Sequence, residues 1–199
     1  MGRADGLGAG FDSFSDDPWV VRLVEFTQEC LARGRPRVIG VCFGHQIVGR
    51  ALGAKVARSE GAVWEVSVCQ VEQTGRGKEL FGGKDLLVCR PCLLLGWDGA
   101  DERQSIFQMH KDLVYYYPEG VEELGSSGLC KVQGMYVPKK VITVEGHPEF
   151  TEDIVRELLT KRREQGVFNE EVFRDAMGRV GNPHDGVLIA EAFLKFLMD

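Results

Sequence analysis

Residues 37–53, RVIGVCFGHQIVGRALG, turn a strand directly into a helix with a cysteine at the corner. Val38, Ile39 and Val41 form a short, nearly continuous apolar run of the kind buried on both faces of a parallel sheet. Immediately after it, Ile47, Val48, Ala51 and Leu52 recur at helical spacing up to a Gly53 stop. No linker separates the two periods, and Cys42, at the corner, has Gly40 and Gly44 two positions to either side. Glycines tolerate the crowding of such a turn, and the turn lifts the side chain between them above the sheet, the geometry of a nucleophile elbow. At a helix start, unpaired N–H groups and the helix dipole favour thiolate, so the position predicts a nucleophilic cysteine of lowered pKa.

The rest of the chain alternates between the same two periods, which predicts an α/β fold. SDDPWVVRLVEFTQECLARG opens with Pro18 in its first turn and closes on Gly34, a helix. VWEVSVCQV predicts a strand with Trp64, Val66 and Val68 on its single buried side. GMYVPKKVITVEG reads as a hairpin turning at 138–140, and Thr151 as the cap of a helix to Gly166, with Phe150 and Val155 as its staple. KRREQG reads as that helix's solvated end. Asp185 predicts the cap of a last helix whose apolar side is Leu188, Ile189, Ala192, Phe193 and Phe196, with His184 in the capping loop. At 199 residues, one domain over 1–199 is the expectation.

A net charge of −6 with no basic stripe argues against nucleic acid and anionic membrane as partners. No stretch approaches the roughly 18 apolar residues of a membrane span, and MGRADGLGAGFDSF has no signal-type apolar region, so a cytoplasmic location is expected. The six cysteines then read as free thiols. Cys89 and Cys92 lack a second ligand pair, so neither a metal nor a cofactor is expected.

A nucleophilic cysteine needs a base, and the base an orienting group. ITVEGHPEF provides a strand, then His147, then Glu149 beyond Pro148, within reach of the distal ring nitrogen. Strand ends on one sheet edge are where α/β sites form. Glu65, after Trp64, reads either as a contact for a substrate amino group or as a solvent-facing strand residue, and His45 as packed beside the elbow.

With GVCFGHQ, GHPEF, SDDPW, QMHKD and EGVEELGSS, the chain resembles the class I glutamine amidotransferases of stand-alone type, similar to the amidotransferase domain of GMP synthase. The resemblance implies a flavodoxin-like three-layer α/β/α sandwich with a mostly parallel central sheet. It implies Cys42 as nucleophile, His147 as general base and acid, and Glu149 as third triad member. It also implies Gly8 on an oxyanion loop, the Phe43 amide as the other oxyanion donor, and Gln46 as a holder of the glutamine substrate. His110 and Asp112 fall in a segment near the family's site.

The implied reaction is hydrolysis of the glutamine side-chain amide through a γ-glutamyl thioester, with ammonia passing to a separate synthetase subunit. Plant γ-glutamyl peptidases acting on glutathione conjugates look similar in motif, so a γ-glutamyl peptide is the alternative substrate. Only 14 residues precede Ser15, too few for the family's first two strands and their crossover. The sheet is therefore expected to lack those strands, which raises a third reading, an inactive relative that serves as a binding partner. Residues 86–104 read as an insertion.

Overall fold

The computed structural model describes residues 11–82 and 103–199. In chain order the elements are α1 (Pro18–Arg33), β1 (Val38–Val41), α2 (Phe43–Ala51), β2 (Val56–Arg58), β3 (Glu65–Gln73), α3 (Gly75–Phe81), β4 (Arg103–His110), β5 (Asp112–Val114), β6 (Glu122–Ser126), β7 (Gly134–Val137), β8 (Val141–Val144), α4 (Glu152–Glu164), α5 (Glu170–Arg179) and α6 (Gly186–Met198). Gly8, Cys89, Cys92 and nearly all of the 86–104 segment lie outside the described residues.

Local signals account for most boundaries. Pro18 opens α1, and Gly34, in the left-handed region at φ 69°, closes it. The Thr151 hydroxyl accepts from the Ile154 N–H to start α4. β7 and β8 form the expected hairpin, with Val137 opposite Val141. Asp185 stands at the start of α6, yet its carboxylate does not cap that helix; it accepts from the Ser105 N–H of β4 at 2.7 Å. α5 is absent from the sequence reading although its signals are present: Asn169 accepts from the Val172 N–H at 2.9 Å, and Glu170 and Glu171 fill the first turn.

Six strands form one sheet in the order β1-β8-β7-β6-β3-β4, and β2 pairs with β5 apart from it. Only β1 and β8 run parallel among the described pairs, so the sheet is mixed rather than mostly parallel. A parallel pair needs a crossover, whereas β6, β7 and β8 follow one another as adjacent antiparallel strands. β1 lies at an edge of the described sheet, and Val38, Ile39 and Val41 are accordingly half-buried instead of covered on both faces.

The fully buried VITV of β8 shows the layering. Ile142 and Val144 pack with Ile189, Ala192 and Phe196 of α6, and Val141 packs on the other face with Val48 of α2. Beyond α2, Val20 and Val24 of α1 close over Ile47. Helices therefore cover both faces, giving the α/β/α arrangement. Val66 and Val68 pack under α4 and α5 as expected, but Glu65 and Ser67 on the opposite face are buried too.

Past Val144 the chain leaves β1 and β7. The Glu145 N–H donates to Gln133 O at 2.9 Å, and the His147 N–H donates to Phe107 O at 2.8 Å. Phe107 belongs to β4, the far strand of the sheet, so the sheet curls until its last strand meets the tail of β8. Gly146 permits this meeting, because a Cβ there would stand 2.8–2.9 Å from the Ile106 side chain.

At the elbow, a Cβ on Gly40 would lie 2.9 Å from the carbonyl carbon and oxygen of Gly44 and from Thr143 Cγ2, whereas one on Gly44 would meet nothing within 4 Å. Gly40→Ala must push α2 off β1 and is expected to cost about 2 kcal/mol in urea unfolding. Gly44→Ala, in an open helical position, should leave the midpoint unchanged or raise it. Equal effects of the two substitutions would refute the close approach.

Candidate active site

Cys42 takes φ 48°, the left-handed region that side chains rarely adopt. The surrounding backbone enforces it. The Cys42 N–H donates to Val144 O at 3.0 Å, while Cys42 O accepts the Gln46 N–H at 3.0 Å as α2 begins. One peptide is thereby tied to the neighbouring parallel strand and to the helix at once. The register sets Val41 beside Val144, so Cys42 directly after β1 and His147 three residues after β8 leave the sheet over the carboxyl ends of adjacent parallel strands.

The His147 ring is held on two sides. Its Nδ1–H donates to Glu149 Oε1 at 2.7 Å, and the ring stacks on Phe150 with centroids 3.9 Å apart and planes 2° from parallel. Glu149 is half exposed, whereas only 15% of the His147 side chain is. Partial burial raises the Glu149 pKa, but the bond from His147 outweighs it and holds the carboxyl below its usual range. Among the described residues no hydrogen bond occupies His147 Nε2, which leaves that nitrogen for proton exchange. Behind the Pro148 carbonyl, Gly186 leaves no room for a Cβ, so the loop bearing Glu149 rests on the start of α6. His184 Nδ1 accepts the Gly186 N–H at 3.2 Å in the loop that leads into α6.

The expected lowering of the Cys42 pKa does not occur. Burial pushes the thiol up, and the Glu145 and Glu149 carboxylates add to the rise; the Phe43 N–H, aimed at the sulfur, and Arg162 oppose it without prevailing. A helix start contributes fractions of a charge, and here desolvation is the larger effect.

Gln46 and Glu65 both face inward. Gln46 accepts from Ser13 Oγ at 2.7 Å, and its Nε2 donates to Asp112 O at 3.0 Å and Glu145 Oε1 at 2.7 Å. Glu65 Oε2 pairs with His110 Nε2 at 3.2 Å and accepts from Gln133 Nε2 at 3.0 Å. Glu65 thus neither faces solvent nor stands open to a ligand. Asp112 turns its carboxylate away, to Arg58 at 3.1 Å.

The hub of this polar cluster, Glu145, is a residue the sequence reading passed over. It is fully buried, with His45 Nε2 at 3.5 Å from Oε2 and His110 Nδ1 at 4.0 Å from Oε1. Its signal was its place, a carboxylate directly continuing the fully buried VITV of β8. Burial pushes Glu145 up to about 7 and His45 down to about 3, the latter helped by the charge of His110. Burial also works to lower His110, but Glu145 and Glu65 outweigh it and raise that ring.

KRREQG is only partly the solvated end it was expected to be. Lys161 and Arg163 are exposed and pair with Glu157 and Glu170, whereas Arg162 is half-buried with its guanidinium 4.9 Å from the Trp64 ring centre. Cys30, Cys42, Cys69 and Cys130 are free thiols. Among the described residues no cluster of three or more His, Cys, Asp and Glu could hold a metal, and no helix is long and apolar enough to cross a membrane.

The Glu145 shift has a pH signature. A folded pKa of about 7 against an ordinary 4.5 means that the native state holds this proton more tightly, so stability present below pH 4.5 is lost as pH rises towards 7. Glu145→Gln keeps an acceptor for Gln46 and is expected to raise the melting temperature by about 5 °C near pH 8 and progressively less towards about pH 5. A difference independent of pH would show that Glu145 does not titrate in this window.

Several known proteins resemble this chain. The sequence profile described as glutamine amidotransferase class-I matches residues 7–162. A glutamine amidotransferase-like protein of Schizosaccharomyces pombe is 33% identical over 96% of this chain and 70% of its own length. Gamma-glutamyl peptidase 3 of Arabidopsis thaliana is 30% identical over 77% of this chain, which spans only 57% of that protein. A solved glutamine amido transferase from Methylobacillus flagellatus superposes with TM-score 0.70 at 20% identity, covering 96% of this chain and 74% of that one, and shows the same fold.

Proposed function

The chain belongs to the class-I glutamine amidotransferase family, and we propose that it hydrolyses the glutamine side-chain amide through a γ-glutamyl thioester on Cys42. The observation that carries this reading is the pairing of a strained cysteine turn after β1 with an oriented His147–Glu149 dyad after β8, its parallel neighbour. A thiol held protonated by its surroundings gives up its proton at the moment of attack, and His147 Nε2 is the acceptor. The Phe43 N–H, at the first residue of α2, would bond the oxyanion that forms beside the sulfur.

As the tetrahedral adduct collapses, His147 returns the proton to the leaving nitrogen, ammonia departs and the thioester remains. Water deprotonated by His147 then releases glutamate. Ammonia passes to a separate acceptor enzyme. The free thiols suit a cytoplasmic setting, and no step draws on a metal or cofactor.

The similarity to a γ-glutamyl peptidase favours a second reading, hydrolysis of γ-glutamyl peptides by the same residues, with an amino acid amine replacing ammonia as leaving group. Exposure to a glutamine-analogue diazoketone should label Cys42 alone, and Cys42→Ala should abolish both labelling and turnover while keeping the melting temperature. Glu149→Gln should lower kcat on the order of a hundredfold or more. Ammonia released from glutamine, set against glutamate released from glutathione, chooses between the substrates. A folded protein that is neither labelled nor active on either would instead be the inactive binding relative.

A further inference from the structure

Five basic side chains deserve comparison around the last helices. Arg156, Lys161, Arg163 and Arg179 each bond a carboxylate within 2.9 Å: Glu152, Glu157, Glu170 and Asp175 respectively. Arg162, half-buried, has no such partner among the described residues. Its Nη1 is shut off from solvent with no hydrogen-bond acceptor, and burial lowers the pKa of the guanidinium. An unpaired buried donor on a cation costs more than any of the surface pairs gains.

The surroundings explain how Arg162 is placed. Its guanidinium carbon lies 4.9 Å from the Trp64 ring centre and 5.9 Å from that of Phe168. A second cation touches the same indole: Lys111 Nζ is 5.0 Å from its centre, and Lys111 likewise has no carboxylate within ion-pair distance among the described residues. Lys111 sits between His110 and Asp112, so the pair borders the polar cluster under the elbow. Arg162 is also close enough to Cys42 for the two to influence each other's charge. Two cations outside any ion pair among the described residues thus lie against one aromatic ring, an arrangement whose charge suits an anion.

We propose that Arg162, assisted by Lys111 and seated on Trp64, is a specificity-determining residue that binds a carboxylate of the substrate while Cys42 attacks its γ-carbonyl. This rests on the γ-glutamyl reading above. The carboxylate has two possible sources, the α-carboxylate of the glutamyl group or that of a residue attached beyond the γ-bond.

Binding to a protein without its nucleophile tests this apart from turnover. Glutamine, γ-glutamylcysteine and the C-terminal amide of γ-glutamylcysteine are titrated calorimetrically into Cys42→Ala and into Cys42→Ala/Arg162→Met. Loss of the charged fork should weaken binding about tenfold to a hundredfold, and Arg162→Lys should restore part of it. Equal weakening for all three ligands identifies the glutamyl α-carboxylate; weakening confined to γ-glutamylcysteine, with its amide unaffected, identifies the carboxylate beyond the bond. Because Met keeps the packing on Trp64 and removes an unsatisfied donor, the melting temperature should hold or rise.

Unchanged affinity for every ligand, or no binding to the Cys42→Ala protein by any of them, overturns the proposal. So does a fall in melting temperature with affinity intact, which would make Arg162 a packing residue. Binding that depends on Arg162 in a protein whose wild type turns over neither substrate would instead sink the hydrolase reading and leave only the carboxylate-binding role of Arg162 standing.

Discussion

A carboxylate without solvent contact, Glu145, organises the ground beneath the candidate site. Leaving it ionised and alone there would cost several kcal/mol, so the fold must bring polar groups to it from elsewhere. Gln46 and His45 come from α2, and His110 from the end of β4. Gln46 in turn reaches Ser13, and His110 reaches Glu65, which reaches Gln133. α2, β4 and the segment that continues β8 thus share a polar stake in one interior point. Apolar packing alone would tolerate sliding of α2 over the sheet; a network that must be satisfied residue by residue tolerates far less.

The same arrangement separates what holds Cys42, the proposed nucleophile, from what would activate it. Cys42 is forced into a left-handed conformation by bonds to Val144 and Gln46, and by a crowded Gly40 beside it. These contacts fix where the sulfur is. Burial raises the thiol pKa, so the thiol keeps its proton at rest. On the proposed mechanism reactivity then depends on His147, delivered from the next strand, whose ring is clamped by Glu149 and Phe150.

Features set by neighbouring residues were legible in the sequence. The elbow needs only two glycines around a cysteine between a strand and a helix, and His147 with Glu149 needs only a strand followed by two polar residues. Hidden were the properties that belong to the assembled interior. Gln46 and Glu65 look like residues offered to a ligand until β4 and β8 fold over them. The thiol pKa follows from desolvation by the whole fold, which outweighs the local helix start. Arg162 sits within a run of charges, and nothing in that run reveals that one of them lies on Trp64, far away in the chain. The direction of the strands was equally nonlocal: β1 and β8 are parallel neighbours, while β7, β6, β3 and β4 beyond β8 join the sheet by antiparallel pairing.

The curl of the sheet also bears on how the molecule is made. His147 is anchored by a bond to Phe107, and the loop after it lies against Gly186, where the Pro148 carbonyl leaves no space for a side chain. The base is therefore framed by segments about forty residues before it and about forty after. Such pairings between remote parts of a chain form late, because loop closure must precede any reward from the contact. During synthesis the cysteine elbow can assemble only after β8 has emerged, and the base settles only once the start of α6 has followed. The nascent chain thus carries Cys42 for a further 105 residues until His147, its proposed partner, emerges.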